Sequence, residues 1–321
     1  MFHYAMKAAA DSKLQLIDRI RKFEKLRMRP IIELFLSGFE DIGRNRDKLI
    51  KNCSQFADCE YLVHFPIFEI KNKYIYDAYN EEEKKVKMLL DFCEEIDSDV
   101  LIMHRCYGFD RKIGKREAEE KFLEKVVLWD KLAKQKKVKI LIENYGFVWL
   151  PDSLGKEYVV SPLDHFFPWD ILKFNEDVNR LNLNYIGIIL DIAHAVISSN
   201  MFNMLKKHPE LSSDRRFGNI FGGDLEKKDL LETNDFIFDF IDYFHISDSF
   251  IWYKEDEISS LRKYLYTENL PIGEGNINFA EIFKKVIGSK VMVMEINPKN
   301  GNHNNNVSQL NAIEWFKKKF N

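Results

Sequence analysis

The chain has 321 residues, of which 45% are hydrophobic and 31% charged, with a formal net charge of -3 and a pI near 6.3. That make-up fits a globular chain with a large core; it offers no basic excess for a nucleic-acid surface and no apolar run near the roughly 20 residues of a membrane span. Cys53, Cys59, Cys93 and Cys106 form no CxxC pair and no disulfide framework, and the opening MFHYAMKAAADSK is too polar for a secretory signal. A reducing, cytoplasmic setting is the expectation.

Short apolar runs alternate with charged, helix-like stretches along the chain. Residues 2–6 are a weak first strand, followed by a predicted helix at 12–26. The second strand is 30–36 (PIIELFL), before a helix at roughly 44–57. The third is 60–65 (EYLVHF), followed by a helix at 80–96 with Val86, Leu89, Leu90 and Cys93 on one face. The fourth is 99–104 (DVLIMH), followed by a helix at 116–135. The fifth is 138–143 (VKILIE), then a long connection over 147–169 and a helix at 169–183. The sixth is 186–191 (IGIILD), then a second long connection from about 198 to 235. The seventh is 241–246 (IDYFHI). A helix at 279–287 precedes the eighth, 290–295 (KVMVME), and a last helix spans 308–320.

Continuous apolar strands separated by amphipathic helices indicate a parallel sheet covered by helices. Eight such units in one chain indicate an α/β fold, a single (β/α)8 TIM barrel over 1–321. A doubly wound open sheet is the alternative, weakened by the lack of a GxGxxG after the first strand and of a P-loop. No linker rich in Pro, Gly or Ser divides the chain.

The strand ends carry the chemistry. His64, His104, Glu143, Asp191, His245 and Glu295 close the third to eighth strands, about 39 to 54 residues apart. In a barrel all parallel strand ends meet at one face, so these side chains converge. Carboxylates and imidazoles suit a divalent ion (Mn, Co, Mg or Zn), one or two per chain. LDIAHA also has a plainer reading, in which Asp191 caps a helix and His194 is solvated.

The stretches LIENYG at Glu143, LDIAHA at Asp191 and His194, FHISDS at His245 and Asp248, PIGEGNINF at Gly273, Glu274 and Gly275, and VMEINP at Glu295 resemble, in order and spacing, the xylose isomerase-like barrel superfamily. The resemblance spans roughly 64–298. That group includes sugar and sugar-phosphate isomerases and epimerases and the DNA-repair enzyme endonuclease IV. The resemblance implies one ion held by Glu143, Asp191, His245 and Glu295, with Glu143 and Glu295 also acting as the acid/base pair and His194 binding or acting on substrate. Likeness to endonuclease IV implies a further ion at His64, His104 and a bridging Glu143. The Asp and His of that enzyme's third site fall on Thr267 and Asn269, poor ligands, which argues with the balanced charge against phosphodiester cleavage.

The resemblance therefore implies a metal-dependent isomerase or epimerase of a sugar, sugar phosphate or related polyol. The alternatives are a zinc phosphodiesterase acting on abasic DNA and a non-catalytic metal- or ligand-binding barrel. The partner expected is a small carbohydrate, with neither nucleic acid nor membrane; pairing of barrels through surface helices would give a homo-oligomer. The Arg that ketohexose epimerases commonly carry just after the seventh-strand His is absent from HISDSFIW. Trp149 and Trp252 are candidate substrate-binding residues, and Phe166, Phe167 and Trp169 share the loops, where stacking on a sugar or loop packing are both open. Lys254, Arg262 and Lys263 read as a solvated helix face, with a phosphate or acidic substrate as the alternative.

Overall fold

The computed structural model describes residues 1–36, 38–65, 79–104, 115–144, 150–151, 158–159, 167–213, 224–253, 261–284 and 286–320. In chain order, β1 (Phe2–Ala9) and α1 (Lys13–Leu26) precede β2 (Ile31–Phe35), α2 (Phe39–Ser54), β3 (Glu60–His64) and α3 (Tyr79–Glu95). Next come β4 (Val100–His104), α4 (Lys115–Lys136), β5 (Lys139–Glu143) and an antiparallel pair, β6 (Leu150–Pro151) with β7 (Tyr158–Val159). Then follow α5 (Pro168–Arg180), β8 (Ile186–Asp191), α6 (Ile192–Lys207), β9 (Tyr243–Ile246), α7 (Leu261–Tyr266), α8 (Phe279–Phe283), β10 (Lys290–Met294) and α9 (Val307–Phe320). All strands but β6 and β7 form a closed barrel in the order β1-β10-β9-β8-β5-β4-β3-β2, with every pairing parallel. This is a (β/α)8 TIM barrel.

Alternation along the strands sorts the core into two layers. Met6, Leu34, Val63, Met103, Ile142, Leu190, Phe244 and Met294 point outward and join the main core with the helices. Ala5, Ile31, Leu62, Ile102, Leu141, Ile189 and Val293 point inward and plug the barrel, with half-buried Tyr243 against them. Burying such apolar side chains contributes about 1.5–3 kcal/mol each for the larger ones. Two residues further along each strand, on the same inward face, stand Lys7, Glu33, His64, His104, Glu143, Asp191, His245 and Glu295. Every strand thus supplies one chemically capable side chain to a single layer above the apolar plug.

The structure adds β6, β7 and α7, which the sequence reading lacks, and departs from it in two further places. β1 runs on to Ala9, which brings Lys7 into the barrel. The connection expected from about 198 to 235 begins as helix: α6 covers Ile192–Lys207, and short 3-10 turns follow at Pro209–Ser213, Asp224–Glu226 and Thr233–Phe236. Both faces of α6 are buried, one on the barrel and one under Phe167, Leu231, Trp252, Tyr264 and Leu265. A helix buried on both faces, with its Asn200 and Asn203 bonded to covering loops, has no solvent-facing polar stripe, so its 3.6-residue period is invisible in the sequence.

Candidate metal centre

Asp191 answers to both readings of LDIAHA. Its Oδ1 accepts the His194 backbone N–H at 2.8 Å, capping α6, and it stands in the polar layer of the barrel. The neighbouring Asn144 holds this corner. Its side-chain amide donates to the Asp191 carbonyl at 3.0 Å and accepts the Asp191 N–H at 2.6 Å, replacing the ladder where β5 and β8 part. The Asn144 carbonyl in turn accepts the Nδ1–H of His194 at 2.9 Å.

The ligand atoms of Glu143, Asp191, His245 and Glu295 lie within 4.8 Å of one another, and so do those of His64, His104 and Glu143. Glu143 links the two groups. Its Oε2 lies 2.7 Å from His104 Nε2 and 3.3 Å from His64 Nε2, while its Oε1 lies 2.9 Å from His245 Nδ1. Glu295 Oε2 also reaches His245 Nδ1 at 2.9 Å. Ligands sharing one ion at bonds of about 2.1 Å sit roughly 3.0–3.4 Å apart, so this spacing and the oxygen and nitrogen donor set fit a divalent cation. The charge balance points the same way. Glu33, Glu143, Asp191 and Glu295 share a space in which, among the described residues, Lys7 is the one lysine, bonded to Glu295, so without a cation the balance falls to protons on the histidines and on Asp191.

The histidines are oriented from behind. His64 Nδ1–H donates to the Phe65 carbonyl at 2.9 Å, leaving Nε2 to face Glu143. His194 Nε2 meets Glu268 Oε2 at 2.9 Å while its Nδ1–H goes to Asn144, so both ring nitrogens donate and the ring is an imidazolium. Burial opposes that charge, but Asp191 and Glu268 prevail and raise the His194 pKa well above the usual value. Burial likewise opposes charge on His245, and Glu33 and Glu143 overcome it and raise its pKa. Burial also disfavours ionised Glu143 and Glu295. His104 and His245 nevertheless hold Glu143 well below the carboxylate range, and Lys7 and His245 do the same for Glu295. Burial pushes Asp191 up to about 7 against the pull of His194.

These shifts give a signed expectation for pH. Without a cation, Asp191 keeps its proton below about pH 7 and His245 keeps a second one. A bound cation displaces both, so affinity rises with pH between 5 and 8, with proton release greatest at the acid end. Calorimetric titration of Zn2+ into metal-free protein, in buffers of differing ionisation heat, measures the released protons. Affinity independent of pH over that range would contradict this assignment.

The polar layer brings together all six strand-end residues read from the sequence, with His194 beside them. Lys7, Glu33 and Glu268 were not foreseen. The period of two along MFHYAMKAAA and PIIELFL holds the signal for Lys7 and Glu33, whereas Glu268 lies in a loop and carries none. Trp252 is 4% exposed and packs with Phe167, Phe202 and Leu205 under α6, and Phe167 and Trp169 meet Phe202 edge-to-face there. Their bulk is used in packing the loops. Trp149, Phe166 and Lys254 lie outside the described residues. Lys263 lies over the Phe250 ring at 4.5 Å, and Glu274 pairs with Lys299 at 2.6 Å on the rim.

Residues 76–319 match the sequence profile described as Xylose isomerase-like TIM barrel, which is most of the chain. The chain belongs to that family. No protein of curated function matches it. Among solved structures, this xylose isomerase-like barrel is similar to a D-tagatose 3-epimerase-like protein, with 16% identity, 98% of this chain and 96% of the other covered, and a TM-score of 0.55. It is also similar to the IOLI protein with a bound zinc atom, at 16% identity, 98% and 96% coverage and a TM-score of 0.54. A family 2 AP endonuclease from Brucella melitensis matches at 12% identity, 99% coverage of both chains and a TM-score of 0.58. At these identities the likeness establishes the shared fold. No helix among the described residues is long and apolar enough to cross a membrane.

Proposed function

We propose that this barrel is a divalent-metal-dependent isomerase or epimerase acting on a sugar, sugar phosphate or related polyol. The observation that carries the reading is the pair Glu143 and Glu295, one oxygen of each 2.9 Å from the same His245 nitrogen although they come from β5 and from the end of β10. A divalent ion held by Glu143, Asp191, His245 and Glu295 would polarise a substrate carbonyl and acidify the adjacent C–H. One of the two glutamates takes that proton and the other returns one to carbon. The His194 imidazolium, fixed by Asn144 and Glu268, places positive charge where an oxygen of the substrate gains negative charge.

The test is proton exchange at carbon. Protein loaded with Mn2+, Co2+, Mg2+ or Zn2+ is incubated in deuterated water with ketoses, aldoses and their phosphates, and NMR follows deuterium entering the substrate. Exchange with at least one sugar, reduced about 10²–10⁴-fold in Glu295→Gln, is the expected result. A metal-loaded protein that exchanges none of them would remove the reading.

One observation favours a second reading. His64, His104 and Glu143 offer a place for another ion, as a phosphodiesterase acting on abasic DNA would need. The positions that would complete that enzyme's third site are Thr267 and Asn269, however, whose side chains are poor ligands for a divalent ion. Incision of an abasic-site duplex by zinc-loaded protein, without any sugar exchange, would decide for it.

A further inference from the structure

Glu33 has no part in the chemistry described so far, yet it is 0% exposed in the middle of the polar layer. Burying a carboxylate away from water is costly, and an apolar residue of similar volume is often no worse for stability. Its contacts are few and specific. Oε2 lies 2.7 Å from His245 Nε2, and Oε1 has no hydrogen-bond partner among the described residues, facing Lys7 Nζ at 4.0 Å. A carboxylate oxygen at this distance accepts the Nε2–H of the ring. The nitrogen that points at Glu143 and Glu295 is then Nδ1, whose proton a cation would displace to turn its lone pair into the ligand set.

The backbone reinforces this arrangement. Lys7 stands opposite Glu33 in the β1–β2 ladder, and Lys7 is bonded to the far oxygen, Oε1, of Glu295. The contacts close a loop from Glu33 through His245, Glu295 and Lys7 back to Glu33, across the four strands β2, β9, β10 and β1. Burial works against the charge on Glu33, and His245 is the largest influence that sustains it.

We infer that Glu33 is a positioning residue for the metal centre: by accepting the Nε2–H of His245 it fixes that ring's tautomer and rotation, so that Nδ1 is the ligating nitrogen. Outer carboxylates of this kind commonly tune a histidine ligand. Glu33 is also near enough to His64 and His245 to be considered a ligand itself. Two features oppose that role. Lys7 already offers a positive charge to its free oxygen, and His245 would have to turn Nε2 toward the ion and abandon Glu143 and Glu295.

The inference rests on the metal-dependent reading, and Zn2+ alone is the probe. Zn2+ affinity is measured by competition with a chromophoric chelator, bound zinc is counted by elemental mass spectrometry, and nitrogen-15 NMR of the histidine rings reports which His245 nitrogen carries the metal. The wild-type protein should show Nδ1 bound and Nε2 protonated. Glu33→Gln should raise the Kd 10- to 100-fold with the zinc count at saturation unchanged. Glu33→Asp keeps the charge but withdraws the oxygen from Nε2, so it should weaken binding as well; it also serves if Glu33→Gln fails to fold. Folded variants that bind within twofold of wild type would overturn the inference, as would an Nε2-bound His245 or a zinc count that falls in Glu33→Gln. A wild-type protein that binds no zinc would overturn the metal-dependent reading itself, which is a separate result.

Discussion

Glu143→Gln should lower turnover by about 10²–10⁴-fold and weaken cation binding in both halves of the centre, whereas His104→Gln should disturb one half. The reason is that the two oxygens of Glu143 serve different neighbours, Oε2 meeting His64 and His104 and Oε1 meeting His245. Glutamine keeps the shape but turns one of those oxygens into a hydrogen-bond donor. That group faces a histidine nitrogen and has no lone pair for a cation. Whichever way the amide turns, one half loses a ligand and the other keeps a weaker, neutral one. Elemental mass spectrometry of the two variants, beside an exchange assay, checks this. A Glu143→Gln protein holding the full wild-type complement would show that the carboxylate is not shared.

The largest expected loss of stability lies at Asp248, just beyond β9. Its carboxylate accepts backbone N–H groups from Ser249 at 2.9 Å, Gly273 at 2.8 Å, Gly275 at 3.1 Å and Ile277 at 3.2 Å. This one side chain, 1% exposed, therefore straps the GEGNI segment onto the end of the strand that carries His245. Gly275 permits the closeness, since a Cβ there would stand 2.1 Å from the Ser249 carbonyl oxygen. Each buried N–H left without a partner costs about 1–3 kcal/mol, so Asp248→Ala should cost about 3 kcal/mol or more after partial relaxation. Asp248→Asn, which keeps one oxygen acceptor, should cost about half as much. Urea unfolding of the metal-free proteins measures both. A loss below about 1 kcal/mol in Asp248→Ala would mean that water replaces the carboxylate.

The ring of strand-end residues was legible because each closes a short apolar run and the parallel barrel gathers all such ends. Lys7 and Glu33 were harder to see. Glu33 sits in the middle of PIIELFL and Lys7 just past the weak first run at 2–6, so neither closes its run. Their place follows from parity, because inward positions repeat every second residue and both lie two beyond a residue of the apolar plug. Asp191 shows why a single motif leaves two readings open, since helix capping and cation binding ask for the same carboxylate at the same bend. Other features were out of reach in the sequence. Burial of α6 on both faces, with Asn200 and Asn203 bonded to the loops on its outer side, erases its helical period. The meeting of Glu268 with His194 joins residues 74 positions apart through a loop that has no pattern of its own. The aromatic residues expected on the substrate side illustrate the converse: Phe167, Trp169 and Trp252 had the right composition for recognition, but the underside of α6 needed large apolar partners.

The barrel closes where β1 meets β10, and Lys7 and Glu295 there are 288 positions apart. During synthesis, a nascent chain emerging as far as β9 already displays Glu143, Asp191 and His245, yet β1 has no β10 to pair with and both exposed sheet edges await the final strand. Such long-range closure is slow, and open edges in the interim invite association with other chains. Chaperone protection should therefore matter most in the interval before β10 arrives. Ribosomal products that stop short of it should accumulate as aggregates and not as weakly active barrels.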